Sequence, residues 1–232
     1  MANLAALENF EQQYQEKGML AQRMYPNEAL LCFLGGDFFG RENKKDIKIL
    51  EIGCGSGANL WMIAKEGFDA YGMDGSKSGI VAAKEMLTNK WHVSATLKQG
   101  LFDDIPFDDD MFDAVIDVVS MQHINLETSN KALKEIKRVL KPGGKFFSYR
   151  LSDHSVMYEH SDSQFVDATT VEDIVNLEMP LAGNKTISFW SPAIVRQEYG
   201  KVGLKIREIE RNTRTYRNGL WMVEYLAIVA EK

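Results

Sequence analysis

An apolar strand that runs straight into three glycines at alternate positions leaves a chain few ways to fold. Ile49-Leu50-Glu51-Ile52-Gly53-Cys54-Gly55-Ser56-Gly57 is such a stretch. Glycine has no Cβ, so Gly53, Gly55 and Gly57 let the backbone turn sharply and approach a ligand closely. A helix expected from about Ala58 would offer its free N–H groups to an anionic or strongly polar ligand group. Gly53, Gly55 and Ala58 also satisfy the dinucleotide fingerprint, so the turn by itself leaves two ligand classes open.

From Ile47 onward, strand and helix patterns alternate. Strands are expected at Ile47–Ile52, Ala70–Asp74, Ser94–Gln99, Phe112–Val119 and Lys145–Tyr149. Between them, amphipathic helices are expected at Asn59–Glu66, Lys77–Lys90 and Thr128–Leu140, the last stopped by Pro142-Gly143-Gly144. Near-continuous apolar strands separated by such helices predict a mainly parallel sheet covered on both faces. Residues 1–45 read as a helical cap, with Leu4, Leu7, Phe10 and Tyr14 at helical spacing. The rhythm breaks over 151–190, where a helix at Val171–Leu177 is the main expectation. It resumes with a helix at Pro192–Tyr199 and strands at Leu204–Arg211 and Leu220–Ala230. The linker between those two strands has no helical pattern, so they should pair antiparallel.

The 232 residues are enough for one domain with a real core: cap 1–45, cofactor-binding core 46–150, insertion 151–190 and a closing segment 191–232. A net charge of −6 disfavours nucleic acid or an anionic membrane as partner of the surface as a whole. Local basic patches remain open. Arg207, Arg211, Arg214 and Arg217 cluster near the end of the chain, either as a solvated strand face or as contacts for an acidic group. The two cysteines, Cys32 and Cys54, make neither a disulfide framework nor a metal-ligand spacing, and the four histidines add none, so no metal is expected. With no signal-peptide pattern and no apolar run of membrane length, the chain reads as cytoplasmic.

Asp74 ends the second strand. An acidic residue there can accept hydrogen bonds from both hydroxyls of a ribose lying across the first turn, or it can cap the following helix. Later segments separate the ligand classes. Leu50-Glu51-Ile52-Gly53-Cys54-Gly55-Ser56-Gly57, Tyr71-Gly72-Met73-Asp74, Asp104-Ile105-Pro106-Phe107 with Met111-Phe112-Asp113-Ala114-Val115, and Leu133 to Lys145 with its Leu-Lys-Pro-Gly-Gly-Lys ending follow one another in order. In these four stretches the chain resembles the class I S-adenosylmethionine-dependent methyltransferases, and most resembles their small-molecule branch of the ubiquinone- and menaquinone-biosynthesis kind. No Tyr-x-x-x-Lys pair of the short-chain dehydrogenase type supports the nicotinamide alternative.

The resemblance implies an α/β, Rossmann-like doubly wound sheet of seven strands, mainly parallel, with an antiparallel C-terminal strand pair. It implies S-adenosylmethionine as cofactor and a small-molecule methyl acceptor. Glu51, Gly53, Cys54, Gly55 and Gly57 would line the methionine end, Asp74 would hold the ribose, and Gly75 and Ser76 would lie near the adenine. The family usually has an aspartate directly after the glycine closing the third strand. Here Leu101 follows Gly100, which passes the adenine contact to Phe102 or Asp103. Val119 and Ser120 would border the transferred methyl group, and His123 is the candidate general base, otherwise an orienting or packing residue. Tyr25, Tyr149, Arg150 and Trp190 are candidate acceptor walls. A macromolecular acceptor, or a binding protein that keeps the fold without catalysis, are the alternatives.

Overall fold

The computed structural model describes residues 2–159, 164–172, 181 and 184–232. Its main sheet uses β1 (Lys48–Ile52), β2 (Asp69–Asp74), β3 (Thr96–Gln99), β4 (Phe112–Val118), β5 (Leu140–Leu151), and, after a separate antiparallel pair of β6 (Thr170–Glu172) and β7 (Thr186–Ser188), β8 (Lys205–Tyr216) and β9 (Trp221–Glu231). The order across the sheet is β3-β2-β1-β4-β5-β9-β8. The first five strands are parallel, while β9 runs antiparallel to both β5 and β8. The chain moves outward from β1 through β2 to β3 and then returns to place β4 on the other side of β1. Open parallel sheets leave a crevice at the carboxyl ends of the strands at such a reversal.

Both faces of the sheet are covered, because successive side chains of a strand point to opposite sides. Leu50, Ile52, Phe112 and Val115 pack with Leu133, Ile136 and Val139 of α5 (Leu126–Val139) and Tyr199 of α7 (Pro192–Val202). Ile49, Ala114 and Ile116 pack on the opposite face with Leu30, Phe33 and Leu34 of α2 (Glu28–Asp37) and with Leu60 and Ile63 of α3 (Leu60–Lys65). The helix ends follow local chemistry. The Ser191 hydroxyl accepts the Ile194 N–H ahead of Pro192 in the first turn of α7, and Gly203, at φ +75°, closes it.

Three expectations are corrected. The helix beginning at Lys77 is an α-helix, α4, only to Glu85, and widens into a π-type turn over Met86–Lys90. β5 begins at Leu140, which pairs with Phe112, and its register shifts before Ala114 pairs with Lys145. Pro142-Gly143-Gly144 therefore sits inside a bulged strand and does not precede it. Val171 lies in β6, paired with Ile187 of β7, where a helix was expected. Its β-branched neighbour Thr170 suits an extended backbone, and residues 173–177 lie outside the described residues. Among the described residues there are two further α-helices, α1 (Ala2–Lys17) and the short α6 (Val156–Glu159).

Ile116 is fully buried at the centre of β4. Ile116→Ala should lower unfolding free energy by about 2–5 kcal/mol, seen as a lower urea midpoint with an unchanged slope.

Candidate functional site

A cavity of about 400 Å³ opens where the carboxyl ends of β1, β2 and β4 meet. Its floor is Glu51, Gly53, Cys54, Gly55, Asp74, Gly75, Val119 and Ser120. Phe102 and Asp103 form one side, and His123 stands at the far end with Ile124. The roof is α1, which contributes Leu4, Leu7, Phe10 and Tyr14. Arg23, from the segment after α1, closes the end near Glu51.

The floor is built from backbone that only glycine adopts without strain. Gly53, Gly55 and Gly57 have φ of +65°, +51° and +82°. A Cβ at Gly53 would run into the Ser120 side chain, and one at Gly55 into the Tyr14 hydroxyl. The Ser120 hydroxyl donates to the Gly53 carbonyl at 2.8 Å, tying the β4 end to the β1 turn. Asp74 ties in the third strand end: its two oxygens accept the Gly55 and Ser76 N–H groups, both at 2.8 Å. It does not cap α4, because Ser76 does so through its own hydroxyl and the Gly79 N–H. Burial pushes the Asp74 carboxyl above the usual range, and the two N–H donors oppose that shift.

Glu51 is 2% exposed and accepts a hydrogen bond from Asn59 on one oxygen only. Its Oε2 is buried without a partner. Desolvation raises its pKa to about 8, against the Asn59 hydrogen bond and the nearby Arg23 charge. A buried carboxylate oxygen with nothing to bind is costly, and a cation or N–H donor entering the cavity would relieve it.

At the other end, Asp117 is fully buried; one oxygen accepts the Ser120 and Met121 N–H groups and the other the Ser148 hydroxyl. This fixes the turn carrying Val119, whose φ of +57° is a strained conformation for a β-branched residue. His123 Nδ1 lies 3.1 Å from the Thr186 carbonyl. A carbonyl only accepts, so Nδ1 carries the hydrogen and Nε2 keeps its lone pair. Burial lowers the His123 pKa to about 4, which leaves the ring neutral at pH 7. Phe10 of α1 packs edge-on against it, with ring centroids 4.8 Å apart.

Most of the residues singled out in the sequence meet at this cavity, but six do not. Gly57 packs against Ala83, and Ser76 lies buried behind the floor, donating to Glu11 of α1 at 2.6 Å. Tyr25 is 62% exposed and packs edge-on against Trp61 and Trp91, away from the cavity. Arg150 and Trp190 are fully buried against each other, the guanidinium 3.7 Å from the ring, with Arg150 also donating to Ser188 of β7. Tyr149 stacks on Tyr225. Strand alternation explains the last group: Arg150 and Tyr149 project from opposite faces of β5 into layers closed by other elements. What sequence reasoning missed is the roof and Arg23. The helical spacing of Leu4, Leu7, Phe10 and Tyr14 announces an apolar face but not what it covers.

Stability should carry the mark of Glu51. Unfolded glutamate ionises near pH 4.5 and the folded group near 8, so the native state holds the extra proton between these values. Stability contributed by the neutral group is therefore complete below pH 4.5 and lost as pH rises through 8. Glu51→Gln should flatten that fall, by up to about 1.4 kcal/mol per pH unit, in urea titrations across the window.

Residues 50–148 match a family model described as a methyltransferase domain. The chain is 35% identical over 113 residues to the sterol 4-C-methyltransferase strm-1 of Caenorhabditis elegans, a match covering 47% of this chain and 33% of that protein. It is 30% identical over 186 residues to a fatty-acid O-methyltransferase of Mycolicibacterium smegmatis, covering 73% of this chain and 65% of that one. The chain spans about half the length, or less, of the first curated relatives it matches. In fold it is similar to a crystal structure of an S-adenosylmethionine-dependent methyltransferase from Methanosarcina mazei, with TM-score 0.66 and 20% identity, covering 81% of this chain and 93% of the other. The glycine turn, the acidic end of β2, the strand order and these likenesses agree: residues 50–148 carry a methyltransferase domain, in a chain with the fold of the class I S-adenosylmethionine-dependent methyltransferases.

Proposed function

We propose that this protein transfers a methyl group from S-adenosylmethionine to an oxygen or nitrogen of a small, largely apolar acceptor by in-line displacement. The observation that carries the reading is the unsatisfied Glu51 Oε2 in a cavity that also holds Arg23. Together they offer an acid that an α-ammonium group would hold ionised and a guanidinium for an α-carboxylate, the two ends of a methionine moiety. Asp74 has accepted one N–H on each oxygen, and a carboxylate has roughly four lone-pair sites, so capacity for two ribose hydroxyls remains. Leu7, Leu101 and Phe102 supply apolar walls for an adenine beside Gly75, with Asp103 as the polar edge.

When bound, the cofactor supplies a sulfonium methyl that is already a strong electrophile. The chain's own work is alignment and the exclusion of water. Val119 and Ser120 border the place where the methyl would lie, held by Asp117. His123 is neutral; its Nε2 carries the lone pair, 3.5 Å from the Gln122 amide nitrogen, and would accept the proton of an acceptor hydroxyl or orient it. The α1 roof serves as the lid element in this reading. Apolar walls at Phe10 and Ile124 favour an uncharged acceptor surface, in keeping with the printed names of the sterol and fatty-acid relatives. A cavity roofed by a helix suits a small molecule better than a side chain of a macromolecule.

Calorimetry with S-adenosylhomocysteine tests the cofactor half. Asp74→Asn and Arg23→Gln should each weaken binding on the order of tenfold or more, and absence of binding by the unaltered chain would remove the reading. His123→Ala should leave that affinity in place while slowing turnover of a screened acceptor on the order of a hundredfold. Unchanged turnover would reduce His123 to a packing residue.

A further inference from the structure

The arginine cluster near the end of the chain has no part in the site, and the fold separates it into two halves. At the root of the β8–β9 hairpin, Arg207 pairs with Glu231 at 2.6 Å, and Arg211 stands 3.7 Å from Glu224. At the tip, the Arg214 side chain makes no hydrogen bond or ion pair among the described residues, and Arg217 lies in the turn. The thirteen-residue stretch from Arg211 to Val223 contains three arginines and no acidic residue, in a chain whose net charge is −6. The same tip exposes large apolar side chains: Leu220 at 65%, Met222 at 40% and Tyr216 at 39%.

Topology decides where this tip points. β9 is antiparallel to β5 and to β8, so β8 runs in the direction of β5 and ends at the carboxyl side of the parallel strands. That is the side on which the cavity opens. The last pairing of β5 is Leu151 with Tyr225, and four further hairpin pairs, from Thr213–Glu224 to Tyr216–Trp221, continue past it. At about 3.3 Å per residue the hairpin projects roughly 13 Å beyond β5. Leu4 and Leu101, which line the cavity, are also exposed, at 60% and 52%.

We propose that the β8–β9 tip docks on an anionic lipid surface, with Leu220, Met222 and Tyr216 entering the headgroup region and Arg214 meeting the lipid charge. Arginine and aromatic side chains beside exposed aliphatics are the combination that anchors protein at such an interface. Local charge governs this contact, because the attraction falls off within a Debye length and the stretch from Arg211 to Val223 carries no acid. No helix among the described residues is long and apolar enough to cross a membrane, so the contact is one of surface and not of span. Docking would turn the cavity side toward the bilayer, where an apolar ligand resides. The inference stands whether or not the chain transfers methyl groups.

Co-sedimentation of the full chain with vesicles of mixed phosphatidylserine and phosphatidylcholine tests it, with phosphatidylcholine alone as the reference. The protein should sediment with the mixed vesicles and be released by high salt. Leu220→Asp and Arg214→Glu should each lower the partition coefficient on the order of tenfold, with circular dichroism and thermal melting unchanged, since both side chains are exposed. A chain that stays in the supernatant with the anionic vesicles overturns the proposal in favour of a protein partner for the hairpin. Variants that sediment like the unaltered chain overturn it as well.

Discussion

One carboxylate organises the functional end of this molecule. Asp74 accepts the Gly55 N–H from the β1 turn and the Ser76 N–H from its own, so the two turns cannot move apart without leaving an amide unsatisfied. The left-handed backbone at Gly53 and Gly55 is thereby held in place, and Ser120 fastens the β4 end to the same turn. Three strand ends become one rigid floor. Everything that faces the cavity from below is positioned by these few hydrogen bonds.

The same floor concentrates buried acid. Glu51, Asp74 and Asp117 all have carboxyls pushed upward by desolvation. They differ in how far the protein has satisfied them. Asp117 accepts three hydrogen bonds and Asp74 two, whereas Glu51 has one and an oxygen left bare. The first two therefore act as structural clamps whose donors come from the chain itself. Glu51 is the acid whose environment is incomplete without something in the cavity, and perturbed, under-satisfied groups of that kind mark functional sites.

Much of this architecture is legible in the sequence because it rests on local rules. Apolar runs marked most of the parallel strands, Ser94–Gln99 being weaker in pattern, and the absence of a helical pattern between Arg211 and Leu220 marked the antiparallel pairing of the last two. The floor residues were legible because glycine at a left-handed position and an acid at a strand end are each tied to one spot in the chain. What sequence did not convey depends on long-range packing. Arg150 and Trp190 look like candidates for a polar pocket, yet they stack on each other in the interior. Tyr25 is near the site in sequence, but Trp61 and Trp91 capture it on the outside. The roof was invisible for the same reason: an amphipathic helix states that it must cover something and leaves open what it covers.

The cavity is thus composed of two materials. Below, it is backbone and strand-end carboxylates, which cannot be altered without disturbing the sheet. Above, it is the side chains of one helix, joined to the body largely through Glu11, which takes hydrogen bonds from the hydroxyls of Ser76 and Ser78 and the Ser78 N–H. Those attachments lie on the opposite chemistry from Leu4, Leu7 and Phe10, which face inward. Ligand preference and foldability are consequently written in separate residues. Such a division lets a scaffold diversify what it accepts by exchanging roof side chains, while the part that secures its folding is carried forward unaltered.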